Sequence, residues 1–357
     1  MERLDDYLQE AGNYIWSEFK LDLSKTKLKL YSEKNWRTFC EKNQFEKDAQ
    51  GIYVPAGYSA YVRTDSPFLL SNIFHEYFGH GLFMEHSKMG LDLIDVIRQK
   101  GDEKSYLFGE KDPQVPSEGF FSKRIYDYEG FAYWLESHLD SQTGNKRLWD
   151  HKKILMDPLY RHVQEQFEEI YSQLPRLNFF GQLGFPKYYS SQDILDTVQY
   201  LYKDSFEHIE FIVLYGSQKP SSDIDLFICS DNESRNLVNG WLDIYELKKS
   251  DFEHKKKLLD LSVTDPLFSG TVIYDQNNLV EKSKREILSE TITHSHIIHN
   301  ARRSEEQKGF LDLCTSERDR KLTASYTRSF KLNAEQLGLG NKPLTLSNLR
   351  TYSGSHL

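Results

Sequence analysis

The sequence predicts an α+β chain of two domains. The first is mostly helical; the second is an α/β domain with a mixed sheet, flanking helices and a helical C-terminal extension. Three observations predict this. Residues 174–193, LPRLNFFGQLGFPKYYSSQD, bring Pro and Gly into an otherwise periodic pattern and mark the clearest break in the chain. Before the break apolar residues recur mostly at helical spacing, and after it short β-rich runs alternate with helical ones. Finally, 357 residues with 38% hydrophobic and 14% aromatic content suffice for two or three cores, which excludes wholesale disorder and a fibrous protein. The expected division is 1–180, a linker at 181–190, 191–280, a helical extension at 281–345 and a polar tail at 346–357.

Taken in order, residues 1–50 read as polar, amphipathic helices. GIYVPAGYSAYV (51–62), with Gly, Tyr, Val and one Pro, reads as strand and turn. SPFLLSNIFHEYFGHGLFMEH (66–86) is a strongly apolar helix, with Ser66 placed to cap it and Pro67 suited to its first turn. A polar loop containing Pro113 and Pro116 leads to an aromatic helix, RIYDYEGFAYWLESHL (124–139), and to helix over 151–173. Beyond the break the pattern is helix (191–204), strand (210–215), turn, strand (223–229), helix and strand (240–246). GTVIYD (270–275) is a further strand, 281–335 is helical, and 339–357 is a loose polar tail.

Charge and composition narrow the function. Lys and Arg number 45 against 54 Asp and Glu, a net charge of −9, which argues against a nucleic-acid coat or an anionic membrane surface. No segment approaches the roughly 20 apolar residues that span a bilayer. The start, MERLDDYLQEAGNYIW, carries acids where a secretory signal has bases before an apolar run. Cys40, Cys229 and Cys314 are scattered and form no metal knuckle. A reduced cytoplasmic protein without membrane attachment is expected. Residues 181–250 carry 6 Lys and Arg against 11 Asp and Glu, whereas 301–357 carry 10 against 6. An acidic stretch followed by a cationic tail suits a metal–nucleotide site, although most such imbalances are solvated surface.

The sharpest motif is FIVLYGSQKPSSDIDLFICS (211–230). An apolar strand ends at Gly216-Ser217, and a second begins at Asp223-Ile-Asp225. Strand side chains alternate, so Asp223 and Asp225 share one face while Ile224, Leu226 and Ile228 serve the packing. Two close carboxylates repel unless a divalent cation sits between them, and hard oxygen ligands suit Mg²⁺, or Mn²⁺, which also binds triphosphate. Gly216 lets backbone approach a phosphate and Ser217 can donate a hydrogen bond to it. Asp243, flanked by apolar residues in GWLDIYEL (240–247), is a third carboxylate on a neighbouring strand. Three aspartates around two metal ions suit in-line nucleotidyl transfer. Over residues 191–280 the segment resembles the polymerase-beta-type nucleotidyltransferase superfamily, particularly its small "minimal" members. The resemblance implies nucleoside monophosphate transfer from an NTP, ATP first, to a hydroxyl on a protein, an RNA end or a small molecule.

FHEYFGHG (74–81) supplies His75, Glu76 and His80. Histidines four apart lie about 40° apart on an α-helix; five apart they are offset by about 140° and would not face one metal. A local overwinding or π-type bulge at Gly79 would correct this. Zinc then needs a third protein ligand and a position for water. Glu129 in YDYEGFAYWLESHL (126–139) offers the ligand, with Glu76 as the base that takes a proton from water. Glu136, two turns along, would orient a histidine from behind, and Tyr133, one turn along, would hydrogen-bond a developing oxyanion. Over residues 51–140 the pattern resembles gluzincin metallopeptidases, especially the HExxGH variant of dipeptidyl peptidase III, and EGFAYWLE resembles the EGWA-type third-ligand helix. The resemblance implies Zn²⁺ at His75, His80 and Glu129 and a peptide substrate.

THSHIIHNARR (293–303) puts His294, His296, His299, Arg302 and Arg303 on a helix, where His294 and His296 would not share a face with His299. A basic edge facing nucleotide or substrate competes there with a plain solvated helix, and Lys255-Lys256-Lys257 reads as solvated. The leading expectation is a bifunctional enzyme; the alternative is a regulatory binding protein that keeps metal and nucleotide sites but lacks turnover at one or both.

Overall fold

A computed structural model describes residues 2–100 and 120–353. The loop carrying Pro113 and Pro116 lies outside the described residues. The chain forms two compact units, Met1–Tyr188 and Tyr189–Leu357. Among the described residues no helix is long and apolar enough to cross a membrane.

The first unit sets a small sheet against helices. Strands β1 (Lys27–Tyr31), β2 (Gly51–Val54) and β3 (Ser59–Arg63) form it in the order β1-β3-β2, with β1 parallel and β2 antiparallel to β3. Helix-only packing of residues 1–50 is therefore corrected. Helices Glu2–Phe19 and Glu33–Asn43 flank β1, whose KLKLY sequence alternates at the period of a strand. Helix Leu69–Ile73 runs into a π-helical segment, Phe74–His80, and on into helix Gly81–His86. Ser66 lies outside the cap position, which Phe68 fills, but its Oγ accepts from Phe68 N and Asn72 Nδ2 and so fixes the entry. The stretch 151–173 is two helices, Lys146–Leu155 and Pro158–Tyr171. Pro158 cannot continue the first, and Asp157 caps the second through Leu159 N at 2.8 Å.

The core of this unit is aromatic. Phe74, Phe83, Phe131, Phe167 and Phe185 are almost wholly buried with Ile15, Leu135 and Leu139. Each such side chain contributes roughly 1.5–3 kcal/mol by leaving water. The long helix Phe120–Gln142 passes so close to the π segment that a Cβ on Gly79 would lie 2.7 Å from Ala132 Cα. Gly79 lies within the expected π segment and also allows this close helix approach.

One buried acid in this unit resists ionisation. Asp140, fully buried, accepts from Ser71 Oγ at 2.6 Å, yet burial and then the Glu136 carboxylate push its pKa up to about 7. Its ordinary value is 3.8, so between those limits the unfolded chain has released a proton that the folded chain retains. Stability therefore falls as pH rises through that window, by at most about 4 kcal/mol. Asp140→Asn, which cannot ionise, is expected to raise the unit's unfolding midpoint by about 5 °C at pH 8 and to change it little at pH 4. Calorimetry at the two pH values checks this; an equal shift at both would refute it.

The second unit is built on a five-stranded mixed sheet in the order β6-β7-β5-β4-β8. Its strands are β4 (Ile209–Tyr215), β5 (Ile224–Ser230), β6 (Arg235–Val238), β7 (Leu242–Lys248) and β8 (Thr271–Asp275). β5 and β7 are parallel; the other pairs are antiparallel. Helix Ser191–Tyr202 begins in a capping box between Ser190 and Asp193. The helix expected between the strands at 229 and 240 is strand β6. Asn239-Gly240 makes the tight turn back into β7, with Gly240 at φ +86° and Asn239 Oδ1 accepting from Leu242 N at 2.8 Å. The loose tail is also corrected: Leu346–Ser353 is helical, and Leu349 is fully buried with Leu261 and Phe330. Helices Leu279–Ser289, His294–Phe310 and Glu317–Gly338 account for the C-terminal extension.

The basic motif 293–303 is mostly structural. His296 is buried, accepts from Thr293 N and reaches Lys257 O at 2.9 Å. His299 Nε2 lies 2.7 Å from Asp260, which caps helix Leu261–Ser269, and Arg303 sits 3.5 Å from the same carboxylate. Lys256 is buried between Glu253 and Glu286, so the lysine run is not wholly solvated.

Candidate functional site

In the first unit the π segment decides the geometry. Its backbone bonds run from residue i to i+5, so side chains five apart stack one turn apart, as side chains four apart do on an α-helix. His75 and His80 consequently share a face, with ring centroids 4.6 Å apart. Helix Phe120–Gln142 brings Glu129 to them: His75 Nε2 lies 3.3 Å from Glu129 Oε2, and His80 Nε2 lies 3.7 Å from Glu129 Oε1. Among the described residues these three are the group whose donor atoms all fall within 4.8 Å of one another. Donors held 2.0–2.2 Å from a tetrahedral zinc stand about 3.3–3.6 Å apart, and mixed imidazole and carboxylate ligands suit that ion. The residues present therefore fit zinc.

Their surroundings hold the donors in place. Glu136, fully buried, puts Oε2 3.1 Å from His75 Nδ1, while its Oε1 accepts from Lys152 Nζ at 2.6 Å. His80 stacks on Tyr128 at 4.0 Å, and Tyr133 lies 4.2 Å from the His75 ring. Burial lowers both histidines. At His75 the neighbouring Glu129 and Glu136 carboxylates outweigh it and take the pKa up to about 9; His80 falls to about 3 and stays neutral, with a lone pair to offer. Burial raises Glu129 too, but His80 and His75 more than compensate and keep it lowered. Burial pushes Glu76 up to about 7, against His75 and helped by Glu129. Burial, then Glu129 and Glu136, hold the Tyr133 phenol well above its ordinary value. Glu76 lies against β2, where a Cβ on Gly51 would come 2.6 Å from Glu76 Cγ.

In the second unit the strand register brings the aspartates together. Asp225 on β5 is the direct parallel partner of Asp243 on β7, and Tyr215 at the end of β4 pairs with Asp225 from the other side. Asp223 sits just before β5, on the face of Asp225 by alternation. Gly216 follows Tyr215 at φ +74°, and a Cβ there would lie 2.2 Å from Asp225 Oδ2. Only glycine accepts both the conformation and the carboxylate folded over it. Ser217 Oγ lies 3.1 Å from Ser222 Oγ, closing the turn between the strands.

Sequence reasoning missed three tyrosines here. Burial and then Asp225 raise the Tyr189 phenol; burial, Tyr326 and Asp225 raise that of Tyr215. Tyr326, on helix Glu317–Gly338, is raised by burial and then by Asp225, Asp265 and Asp243, although 39% of the residue stays accessible. A tyrosine of the C-terminal extension thus feels the charge of Asp225 and Asp243. Nothing in a helical run of polar residues marks which tyrosine that is. Lys152 was missed at the first site for the same reason, since its role exists only once its helix has docked.

Residues 197–285, which hold all three aspartates, match the family described as polymerase beta, nucleotidyltransferase. This stretch is a nucleotidyltransferase domain. A solved nucleotidyltransferase-like protein from Exiguobacterium sibiricum 255-15 is 10% identical, with a TM-score of 0.25. That likeness covers 41% of this chain, and the chain spans 58% of that protein's length. No curated protein matches the chain. The nucleotidyltransferase domain begins within helix Ser191–Tyr202 and runs through β8 into helix Leu279–Ser289.

Proposed function

We propose that the nucleotidyltransferase domain moves a nucleoside monophosphate from an NTP, ATP first, to a hydroxyl acceptor, and that the first unit is a zinc-dependent peptidase-like centre. The observation that carries the first part is the register of β5 on β7, which sets Asp225 beside Asp243 above the glycine turn, inside the stretch that matches the family. An all-carboxylate donor set fits a hard divalent cation, so Asp223, Asp225 and Asp243 would hold Mg²⁺ or Mn²⁺. When bound, that cation neutralises phosphate charge and acidifies the acceptor hydroxyl. Gly216 leaves room for a phosphate against the backbone, and Ser217 donates a hydrogen bond to it. The aspartates also set where the acceptor's proton can go. The acceptor is a protein, an RNA end or a small molecule.

The spacing of His75, His80 and Glu129 favours the second part. Zinc held there supplies Lewis acidity; Glu76, poised near neutrality, accepts a proton from water, and Tyr133 hydrogen-bonds a carbonyl oxygen that gains charge. Metal analysis tests the centre. Purified protein is expected to hold about one zinc per chain, and changing His75 and His80 together to Ala is expected to remove it. Protein free of zinc without prior chelation would contradict the assignment. Incubation with α-labelled NTPs and Mg²⁺ tests the transferase: label on a macromolecule or small acceptor supports it, and nucleotide binding without turnover supports a regulatory binding protein instead.

A further inference from the structure

The donor set His75, His80 and Glu129 is nearly closed to water; its most open member, Glu129, has a side chain only 14% exposed. What a ligand of that centre meets is therefore set by the rings packed outside it. Tyr133 lies against His75, and among the described residues two further rings lie against Tyr133: Trp149 at 6.4 Å and Tyr160 at 6.0 Å. Trp149 is buried, whereas Tyr160 keeps 37% of its surface in water. Burial, then Glu129, Glu46, Asp157 and Glu76, raise the Tyr160 phenol, so it stands within electrostatic reach of both a donor and the base. Tyr160 thus bridges solvent and the rings that enclose the centre.

The turn that carries Tyr160 is pinned and apolar. It joins helices Lys146–Leu155 and Pro158–Tyr171. The Asp157 carboxylate accepts from Leu159 N at 2.8 Å, and Arg161 donates from Nη2 to Ile154 O at 2.7 Å and to Met156 O at 3.2 Å. The charged groups of the turn are thereby engaged with backbone, while Ile154, Leu155 and Leu159 stand exposed beside Tyr160 in the chain. Large apolar side chains kept in water on a pinned turn, next to a reaction centre, suit an apolar ligand group. A carboxylate brought there would face Glu129 and Glu76, and it would lose water without gaining a partner.

We propose that Tyr160 is a specificity-determining residue of the first unit's metal centre: its ring receives an apolar side chain of a ligand anchored on the metal. For a peptide that side chain belongs to a residue flanking the cleaved bond. The proposal rests on the reading of His75, His80 and Glu129 as a zinc site. It places the selection of substrate on an element that carries no metal ligand.

Hydroxamates test this without any activity assay, because the hydroxamate group anchors on zinc whether or not a peptide is cleaved. Full-length wild type, Tyr160→Phe, Tyr160→Ala and Tyr160→Gln are titrated calorimetrically with acetohydroxamate and with hydroxamates bearing a benzyl, a carboxymethyl or an aminobutyl group. The quantity read is each affinity relative to that of acetohydroxamate in the same protein. In wild type the benzyl group is expected to gain about 10- to 100-fold, and the two charged groups little. Tyr160→Phe is expected to keep the benzyl gain, and Tyr160→Ala and Tyr160→Gln to reduce it to about threefold or less. Zinc content and unfolding midpoint, measured on every protein, separate loss of the centre or of the fold from loss of the subsite. The glutamine variant, which fills more of the ring's space, covers the case in which the alanine variant fails to fold. A benzyl gain that survives in the variant lacking the ring, no benzyl gain in wild type, or a larger gain from a charged group would overturn the proposal. A wild-type protein that holds no zinc would overturn the zinc reading itself, and this proposal with it.

Discussion

Asp225→Asn is expected to lower the rate of nucleotidyl transfer about 1,000-fold while leaving the second unit folded. The side chain keeps its shape and its place opposite Asp243, but the negative charge that would bridge the cation to the phosphates is gone. Removing one preorganised charge-stabilising group typically costs a hundred- to a thousand-fold in rate, and here the cation site itself is weakened as well. Asp225 is only half-buried at the start of its strand, so the unfolding midpoint should stay within a degree or two of wild type. Transfer of α-labelled nucleotide, read beside the far-ultraviolet circular dichroism of the same sample, separates loss of chemistry from loss of fold. A variant that transfers at the wild-type rate removes Asp225 from the site.

Glu76→Gln should keep the zinc and lose peptide cleavage by about 100- to 10,000-fold, the range expected when a general base is removed. Glu76 lies next to His75 in the chain, but it stands outside the set His75, His80 and Glu129. It is pressed instead against the glycine of β2, with its affinity for a proton raised by burial. Glutamine fills the same space, so the packing against Gly51 is retained. A peptide library digested by wild-type and variant protein, with zinc content measured on both, decides the matter. Zinc loss in the variant would make Glu76 a ligand or a structural support, and unaltered cleavage would exclude it as the base.

Much of this arrangement was legible in the amino acids. The strands of the second unit are apolar runs bounded by turn residues, and alternation alone puts Asp223 and Asp225 on one face. The five-residue spacing of His75 and His80 demanded a departure from the α-helix, and the π segment supplies it. Strand β1 alternates at the period of a strand, but its five residues are too short a run to stand out between the amphipathic stretches on either side. Strand β6 is fully exposed along one edge of the sheet, so it lacks the apolar pattern of its neighbours, and the Asn239-Gly240 turn was its only local mark. The tail helix depends on Leu349 reaching Leu261 and Phe330, contacts some 20 to 90 residues distant. Lys152 and Tyr326 were beyond reach for the same reason: each matters through groups from other elements, and helical spacing says nothing of what docks against a given face. Gly79 was legible as part of the π-type departure, but not its second role, because the Ala132 backbone that it admits lies on another helix.

The most direct measurement is pyrophosphate release by the full-length wild-type protein with Mg²⁺ and each NTP in turn, in the presence of a mixed pool of protein, RNA and small hydroxyl acceptors. Release that requires Mg²⁺, matches the nucleotide label incorporated into one acceptor mole for mole, and is absent from Asp225→Asn is the expected result. Nucleotide bound by the wild-type protein but returned intact, with no pyrophosphate from any NTP, would contradict it and leave the aspartates as a binding site.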